Sequence, residues 1–585
     1  MRRGPAVVAP LWTVLLALVV LGPALRPGQL LLRDLVTSPR SYFTDAALGL
    51  GGAAPRAVPQ DGVLALLSRV VNGAVPVQGA LLVALVAGGS GAALLVRRVL
   101  DRVAVGPEVV AATVAVWNPL VAERLLQGQW SLLLGVGVLP WVVLGALDLR
   151  GARAPHTRSR GRPGSFELRS AGVLVVAVVL GGITPTGALL GVVVALAVLA
   201  WPGADRRVGD VLGLVGLAAL TVAPWVLAAV LTGTRPVADD AGVRAFAARA
   251  EPGLGTPGSL LGLGGMWNSE AVPGSRSSPI ALLGTLVLLG VVLLGAPAVW
   301  RCRHTVPTGP LLALAAVGVM GPALAATGAG LDALSWTVRV VPGAGLLRDG
   351  QKWVALAVPL YGLSAGLGVA ALTARLTVAP AIAVLAVVGV LPDLAWGVGG
   401  ALHTVRYPPD WTTVAAVLAD PSSGPGDVAV QPGGSFRRFT FSGPATVLDP
   451  AARWLDRDVL STGLLTVGDS EVAGEDSRAA RVETVLLSGG KPQDLAAAGV
   501  GWVLVERGTP GPTGSSATLL DQLEPVVQGV DLTLYAVPGP VDVVSAAPAA
   551  RAAVLTAHAL PAVVLLGAVA ALVVSGVRNR ARRPA

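Results

Sequence analysis

Twelve apolar runs, of about 15 to 26 residues each, leave this chain few ways to fold. A helix needs about 20 mostly apolar residues to cross the hydrocarbon of a bilayer. There the backbone must satisfy its own hydrogen bonds, so such runs become helices. They lie at about 7–25, 78–96, 105–120, 130–148, 170–184, 187–202, 209–232, 279–300, 309–327, 353–373, 377–397 and 552–577. Those at 105–120, 170–184 and 187–202 are short, so their ends are soft. Charged residues make up 13% of the 585 positions, about half the roughly 25% of a soluble domain. The expected fold is a polytopic α-helical membrane protein of about 12 transmembrane helices. The first run exceeds the 7–15 residue apolar core of a signal peptide, and no clear A-x-A site follows it, so it reads as a retained anchor.

The formal net charge of +9 would suggest nucleic acid on a soluble protein. Here the basic residues sit in short segments between apolar runs, so the charge reads as topology, with no nucleic-acid partner. If the spans alternate, MRR, RRVLDR (97–102), 150–169, DRR (205–207), RCR (301–303), Arg375 and RNRARR (578–583) share one side. The positive-inside rule makes that side cytoplasmic, with both termini inside. Segments 26–77, 117–130, 233–278, 328–352 and 398–550 then lie outside, in a bacterial plasma membrane. Residues 1–397 form the membrane part and 551–585 a last span with a basic cytoplasmic tail.

Segment 398–550 differs in composition. DVAVQP, GWVLVERG and LTLYAVPG are Val-rich and β-like, while SRAARVETVLLSG and PQDLAAAGV read as helices. That alternation over about 150 residues describes a small extracytoplasmic α/β domain. The single cysteine, Cys302, cannot form an internal disulfide. Four scattered histidines show no zinc-ligand spacing. GLGTPG (253–258) matches G-x-G-x-x-G but lacks a preceding strand, and reads as a flexible turn. LDPAARWLDRD (448–458) reads as a solvated helix rather than a calcium loop.

Three outer segments place carboxylates beside cations. The first carries Arg33, Asp34, Arg40, Asp45, Arg56 and Asp61, followed by GVLALLSRVV, whose spacing fits a helix on the membrane surface. The second, WNPLVAERLLQGQW, sets Glu123 and Arg124 between Trp117 and Trp130. The tryptophans read as an interfacial belt. For the charged pair two readings stay open, an interfacial hairpin or a functional buried pair. The third, GLLRDGQKW, holds Arg348, Asp349, Gln351 and Lys352, one of only two lysines. Asp349 fits a helix N-cap. Cations are mildly unfavourable at a helix start, so Arg348 and Lys352 suit a lipid phosphate better than the helix. Carboxylates and cations at one membrane level match sugar transfer from a lipid phosphate: the carboxylate takes the acceptor's proton and the cations neutralise the leaving phosphate.

The stretches LLLRDLV…PRAVPQDG, WNPLVAERLLQGQW and LLRDGQKW resemble, in style and order, the GT-C superfamily of polyprenyl-phosphate-sugar glycosyltransferases. They are similar to the membrane part of the actinobacterial arabinofuranosyltransferases over roughly residues 1–400. The resemblance implies an acidic general base in the first outer loop, hence Asp34, with Asp45 and Asp61 as runners-up. It implies phosphate contacts from Arg348, Lys352 and Arg33, supported by Glu123, Arg124, Asp349 and Gln351. Its partners would be a polyprenyl-phosphate-linked sugar donor, a glycan or glycolipid acceptor and the bilayer. Some members use a divalent cation, and nothing in this sequence demands one. The chain departs from those large enzymes in having one small outer domain and no paired-acid motif in its first loop. Two other classes are weighed: a flippase for a lipid-linked precursor, which would carry charges in mid-span, and a non-enzymatic envelope assembly factor, for which Asp34 would be dispensable.

Overall fold

A computed structural model describes residues 7–100, 104–151, 163–203, 208–233, 240–467, 470–472, 474 and 476–580. Of the basic segments used for orientation, MRR, DRR and parts of 97–102, 150–169 and 578–583 lie outside these residues.

Among the described residues, eight helices are long and apolar enough to cross a membrane: Val8–Leu25, Ala74–Val99, Val105–Gln127, Trp130–Gly151, Val208–Thr232, Thr308–Ala325, Gln351–Thr373 and Pro548–Ser575. A ninth arises if Ala379–Gly389 and Pro392–Gly399, bent by 73°, count as one span. The expectation of twelve spans is therefore not confirmed, while a polytopic helical protein is. Three of the apolar runs form helices of only 10–17 residues, Arg169–Gly181, Pro185–Ala200 and Ile280–Leu293. Pro185 opens one of them at its first turn, where its missing N–H costs no helix bond. The 279–300 run breaks after Leu294 and resumes as Ala296–Arg301.

The spans differ in how far they are enclosed. Val105–Gln127 is 94% buried, Trp130–Gly151 89% and Gln351–Thr373 83%, whereas Pro548–Ser575 is 6% buried. The first three make the centre of the bundle and the last lies at its rim. The Ala74–Val99 helix is 26 residues long, about 39 Å at 1.5 Å per residue. At its far end Arg97 pairs with Glu108 at 2.7 Å, Arg98 with Asp148 at 3.2 Å, and Arg150 donates to the Trp201 carbonyl at 2.8 Å. At its near end Asn72 accepts from Gln29 at 2.8 Å, and there the α/β region begins.

A short hairpin joins the two parts. Strands β1 (Gln29–Leu32) and β2 (Leu35–Val36) pair antiparallel, and β1 also pairs with β3 (Thr404–Val405). Beyond lie β4 (Asp427–Gln431), β5 (Phe436–Arg437), β6 (Val447–Leu448), β7 (Val459–Leu460), β8 (Leu465–Val467), β9 (Ser470–Val472), β10 (Val500–Glu506), β11 (Glu524–Gln528) and β12 (Leu532–Ala536). The main sheet has the order β11-β12-β10-β4-β7, with β4 parallel to both β10 and β7. Alternation along the strands builds two layers. Val428, Val430, Trp502 and Leu504 pack with Trp411 and Leu418 of the Pro409–Ala419 helix, and with Leu31 and Val36 of the hairpin. Ala429 and Val503 pack on the other side with Val482, Leu486 and Leu495 of helices Ser477–Ser488 and Pro492–Ala497. In the first layer Trp411 stacks on Trp454 at 5.6 Å and Tyr407 lies 4.6 Å from Trp454. Such pairs contribute about 0.5–1.5 kcal/mol each beyond area burial. The hairpin thus shares its core with the α/β region although some 370 residues separate them in the chain, as in the Tyr407 hydroxyl donating to the Thr37 carbonyl at 2.9 Å.

Candidate functional site

The hairpin's turn is Arg33 and Asp34. Arg33 has φ 50°, the left-handed region that costs an L-residue energy unless its surroundings hold it there. They do: its N–H donates to the Thr446 carbonyl at 3.0 Å, and its carbonyl accepts from the Leu448 N–H at 2.8 Å. The Asp34 N–H donates to the Gln127 carbonyl at 3.1 Å. The turn is therefore clamped between β6 and the end of the Pro119–Gln127 helix.

That helix has clear local causes. Asn118 caps it by accepting from the Val121 N–H at 3.1 Å, Pro119 occupies its first turn, and Gly128 closes it at φ 82°. A Cβ on Gly128 would run into Leu32 and Leu35 of the hairpin. Arg33 donates to the Leu126 carbonyl at 2.7 Å and to the Glu270 carbonyl. So Arg33, expected to meet phosphate, is held by the end of one helix and by backbone at 270, although it still lines the cavity described next. Burial pulls its guanidinium below its ordinary value, against the opposing pull of Glu270 and Asp34.

A cavity of about 2230 Å³ opens beneath the hairpin, between the helical part and the α/β region. It is lined by Asp34, Arg348, Lys352 and Asp349, by Gln127 and Gln129, and by Thr184–Thr186. Trp225, Val226, Ala229 and Val230 of one span and Val338, Val340 and Val341 add an apolar wall. The loops after β4, β7 and β10, at Gly433–Ser435, Ser461–Leu464 and Pro510–Pro512, close the other side. These follow the carboxyl ends of the three parallel strands, where open α/β sheets bind ligands. Nine cationic and six acidic residues line the space.

Asp34 accepts on Oδ2 from Gln127 Nε2 at 3.1 Å and from Gln129 Nε2 at 3.4 Å. Burial raises its carboxyl above the ordinary value, and the two amides and Arg453 partly oppose this. Lys352 is 7% exposed, and its Nζ donates to Thr186 Oγ1 at 3.0 Å. Arg348 sits over the Phe246 ring, 5.8 Å from its centroid. Asp45 and Asp61 are placed elsewhere. Asp45 pairs with Arg551 at 3.0 Å and accepts the Ala546 N–H, tying the last span to the first loop. Asp61 lies 3.3 Å from Arg453, which also donates to the Asp34 and Val36 carbonyls.

Glu123 and Arg124 are both fully enclosed. Arg124 grips Asp349 with two bonds, at 2.6 and 2.8 Å, and donates at 2.6 Å to Gln129 Oε1. Its Nε donates to Gln351 Oε1 at 2.8 Å, and Gln351 Nε2 donates to Glu123 Oε2 at 2.9 Å. Glu123 lies beside the ion pair Arg276–Glu251. The pair is thus buried rather than interfacial, inside the Val105–Gln127 span. Trp117 and Trp130, each 3% exposed, form no belt, and Trp117 Nε1 donates to the Leu391 carbonyl at 3.0 Å. The Gln351–Ala357 turn begins at Gly350, and the carboxylate of Asp349 just before it accepts the Lys352 backbone N–H, as a cap does, while also holding Arg124. Burial would raise the Asp349 carboxyl, but Arg124 and then Lys352 outweigh it and hold it below its ordinary value.

LDPAARWLDRD is likewise no solvated face. Ala451 and Trp454 are buried, and Arg453 is the strap across the hairpin. GLGTPG runs into the Gly255–Leu261 helix. GVLALLSRVV forms a helix over Gln60–Leu67 and leaves Leu66, Leu67, Val70 and Val71 exposed. Gln127, Gln129, Asn268 and Arg453 are the site neighbours that sequence reading missed. The pair Gln127 and Gln129 beside Gly128, polar residues between apolar runs, was the available signal. Among the described residues, no group of three His, Cys, Asp or Glu side chains is arranged to hold a metal ion. Comparison with family models, curated proteins and solved structures finds no match to this chain.

Proposed function

We propose that this chain is an integral membrane glycosyltransferase of the GT-C kind. It moves a sugar, arabinofuranosyl or mannosyl, from a polyprenyl-phosphate donor to a cell-wall glycan or glycolipid. The observation that carries this reading is one cavity that combines a carboxylate, two cations and an apolar wall: Asp34, Arg348 and Lys352 facing a space walled by Trp225, Val226 and Val230. The apolar wall suits the prenyl chain and the cations suit its phosphate. In the step, the acceptor hydroxyl gives its proton to Asp34 while its oxygen bonds to the anomeric carbon. The bond from that carbon to the phosphate oxygen breaks, and its electron pair leaves with the prenyl phosphate. Arg348 and Lys352 offset the added charge. A single displacement inverts the anomeric centre.

The membrane orientation belongs to the same reading. Arg97, Arg98 and Arg150 gather at the bundle end away from the hairpin. The positive-inside rule makes that end cytoplasmic and puts residues 398–550 outside. A flippase would need its buried charges to line a path. Arg124 instead turns its donors to Asp349, Gln129 and Gln351, which favours the one-sided transferase. The test is Asp34→Asn in proteoliposomes supplied with a polyprenyl-phosphate sugar and a glycan acceptor. Transfer should fall by about 10²–10⁴, the usual share of a general base. Undiminished transfer at equal protein level would remove the assignment.

A further inference from the structure

We infer that Gln127 and Gln129 form an amide clamp that turns one lobe of the Asp34 carboxylate toward the cavity, an inference that rests on the transferase reading for its purpose but not for its geometry. Both glutamines donate to the same oxygen, Oδ2, at 3.1 and 3.4 Å. Among the described residues Oδ1 accepts no protein hydrogen bond, and Asp34 lines the cavity. A carboxylate held on one oxygen presents the other as the base.

An amide side chain can flip, so the clamp holds only if something fixes which end points at Asp34. Each glutamine has such a fixing group. Arg124 can only donate, and it donates to Gln129 Oε1 at 2.6 Å, which forces Gln129 Nε2 outward. For Gln127 the chain is one link longer. The Glu270 N–H donates to Asn268 Oδ1 at 3.0 Å, so Asn268 Nδ2 must be the end that donates to Gln127 Oε1, at 2.8 Å. A backbone N–H and a guanidinium, neither able to reverse its role, thus set the direction of both amide bonds to the Asp34 carboxylate. Gln127 and Gln129 are positioning residues, and Asn268 and Arg124 orient them.

Both clamps stabilise the ionised carboxylate, so removing one must move its titration upward. A hydrophobic carbodiimide reacts with a protonated carboxyl, and its yield at Asp34 falls as pH rises through the titration. The experiment labels the full chain in detergent with dicyclohexylcarbodiimide across a pH series and quantifies the Asp34 peptide by mass spectrometry. Gln127→Ala should raise the midpoint by about one pH unit, since a bond to a charged group is worth roughly that much. Gln129→Ala should raise it less, because its bond is longer. Asn268→Ala, which does not touch Asp34, should also raise it, because Gln127 is then free to flip. Should Gln127→Ala fail to fold, Gln129→Ala and Asn268→Ala carry the test. Midpoints unchanged in the folded variants would overturn the clamp. Labelling needs no donor, acceptor or turnover. An inactive Asp34→Asn with unmoved midpoints therefore removes only the clamp, and an active one with moved midpoints removes only the transferase reading.

Discussion

Arg124 and Arg437 both lie fully buried among carboxylates, the first in the helical part and the second in the α/β region, and they are used in opposite ways. In the helical part Arg124 faces one carboxylate, Asp349, and two amide oxygens, from Gln129 and Gln351. In the α/β region Arg437 is shared by two carboxylates, Asp449 and Glu506, and also donates to the Gly434 carbonyl at 2.8 Å. The first cluster carries its bonds on through Gln129 to Asp34 and so reaches the cavity. The second shares one cation between two acids, and although Asp449 lines the same cavity, the bonds of Arg437 end on Asp449, Glu506 and the backbone of 434 and 436. A buried ion pair says little about function by itself. What distinguishes these two is whether any bond leaves the cluster toward open space.

Removing either cation is the harshest way to break the comparison. Arg124→Ala and Arg437→Ala each strand a buried carboxylate, and each should cost about 3–5 kcal/mol of stability. Only Arg124→Ala should also lower sugar transfer per folded molecule. Thermal unfolding and transfer measured on the folded fraction check both, and equal loss of transfer in the two variants would erase the distinction. A smaller effect is expected from Lys352→Ala, where the cation lines the cavity and, among the described residues, pairs with no acid at salt-bridge distance. The donor KM should rise and kcat should fall as well, together lowering kcat/KM by about tenfold or more, as for a contact to the donor phosphate that strengthens as charge builds on it.

The smallest effect sharpens the comparison through pH. Burial, and then Asp449, pushes Glu506 well above its ordinary 4.5. A raised acid contributes stability that is complete below 4.5 and lost as pH rises through the folded value. The α/β region should therefore become more stable as pH falls from 7 toward 5, and Glu506→Gln should flatten that slope. Asp349 behaves in reverse: held below its ordinary 3.8, it contributes stability above that value and loses it as pH falls further. Asp349→Asn should remove this acid-side loss while lowering stability at every pH, because it leaves the buried Arg124 without its carboxylate. Unfolding midpoints across pH 3 to 8 separate the two, and slopes of the same sign would contradict the assignment.

Much of the architecture was legible because it depends on local properties. Apolar runs announce helices, and the Val-rich segments DVAVQP, GWVLVERG and LTLYAVPG became β4, β10 and β12. Span number was less legible, since hydropathy does not reveal where Pro185 or the bend at Leu391 cuts a run. Asn118-Pro119 and Gly128 do spell a capped helix, yet its charges leave an interfacial hairpin and a buried pair equally open. The partners that bury those charges, Asp349 and Gln351, lie more than 220 residues away. Gln127, Gln129 and Asn268 left no mark because a neutral amide signals nothing until a fold gives it a neighbour. Arg453, in a stretch whose charge pattern spells a solvated helix, is hidden for the same reason: its targets, at 34, 36 and 61, come from the other end of the chain.

That separation has a consequence in time. The hairpin carrying Asp34 is finished by Val36, but its strand partner at 404–405 and the β6 backbone that holds the turn come near the end of synthesis. At about 5–20 residues per second, translation leaves roughly 20 to 80 s during which β1 has an unpaired edge and the turn has nothing to hold it. A nascent chain stopped before residue 404 would have made most of its spans and would still hold no assembled cavity. The site is a late product of biogenesis, closed when the last third of the chain folds back onto the first fifty residues.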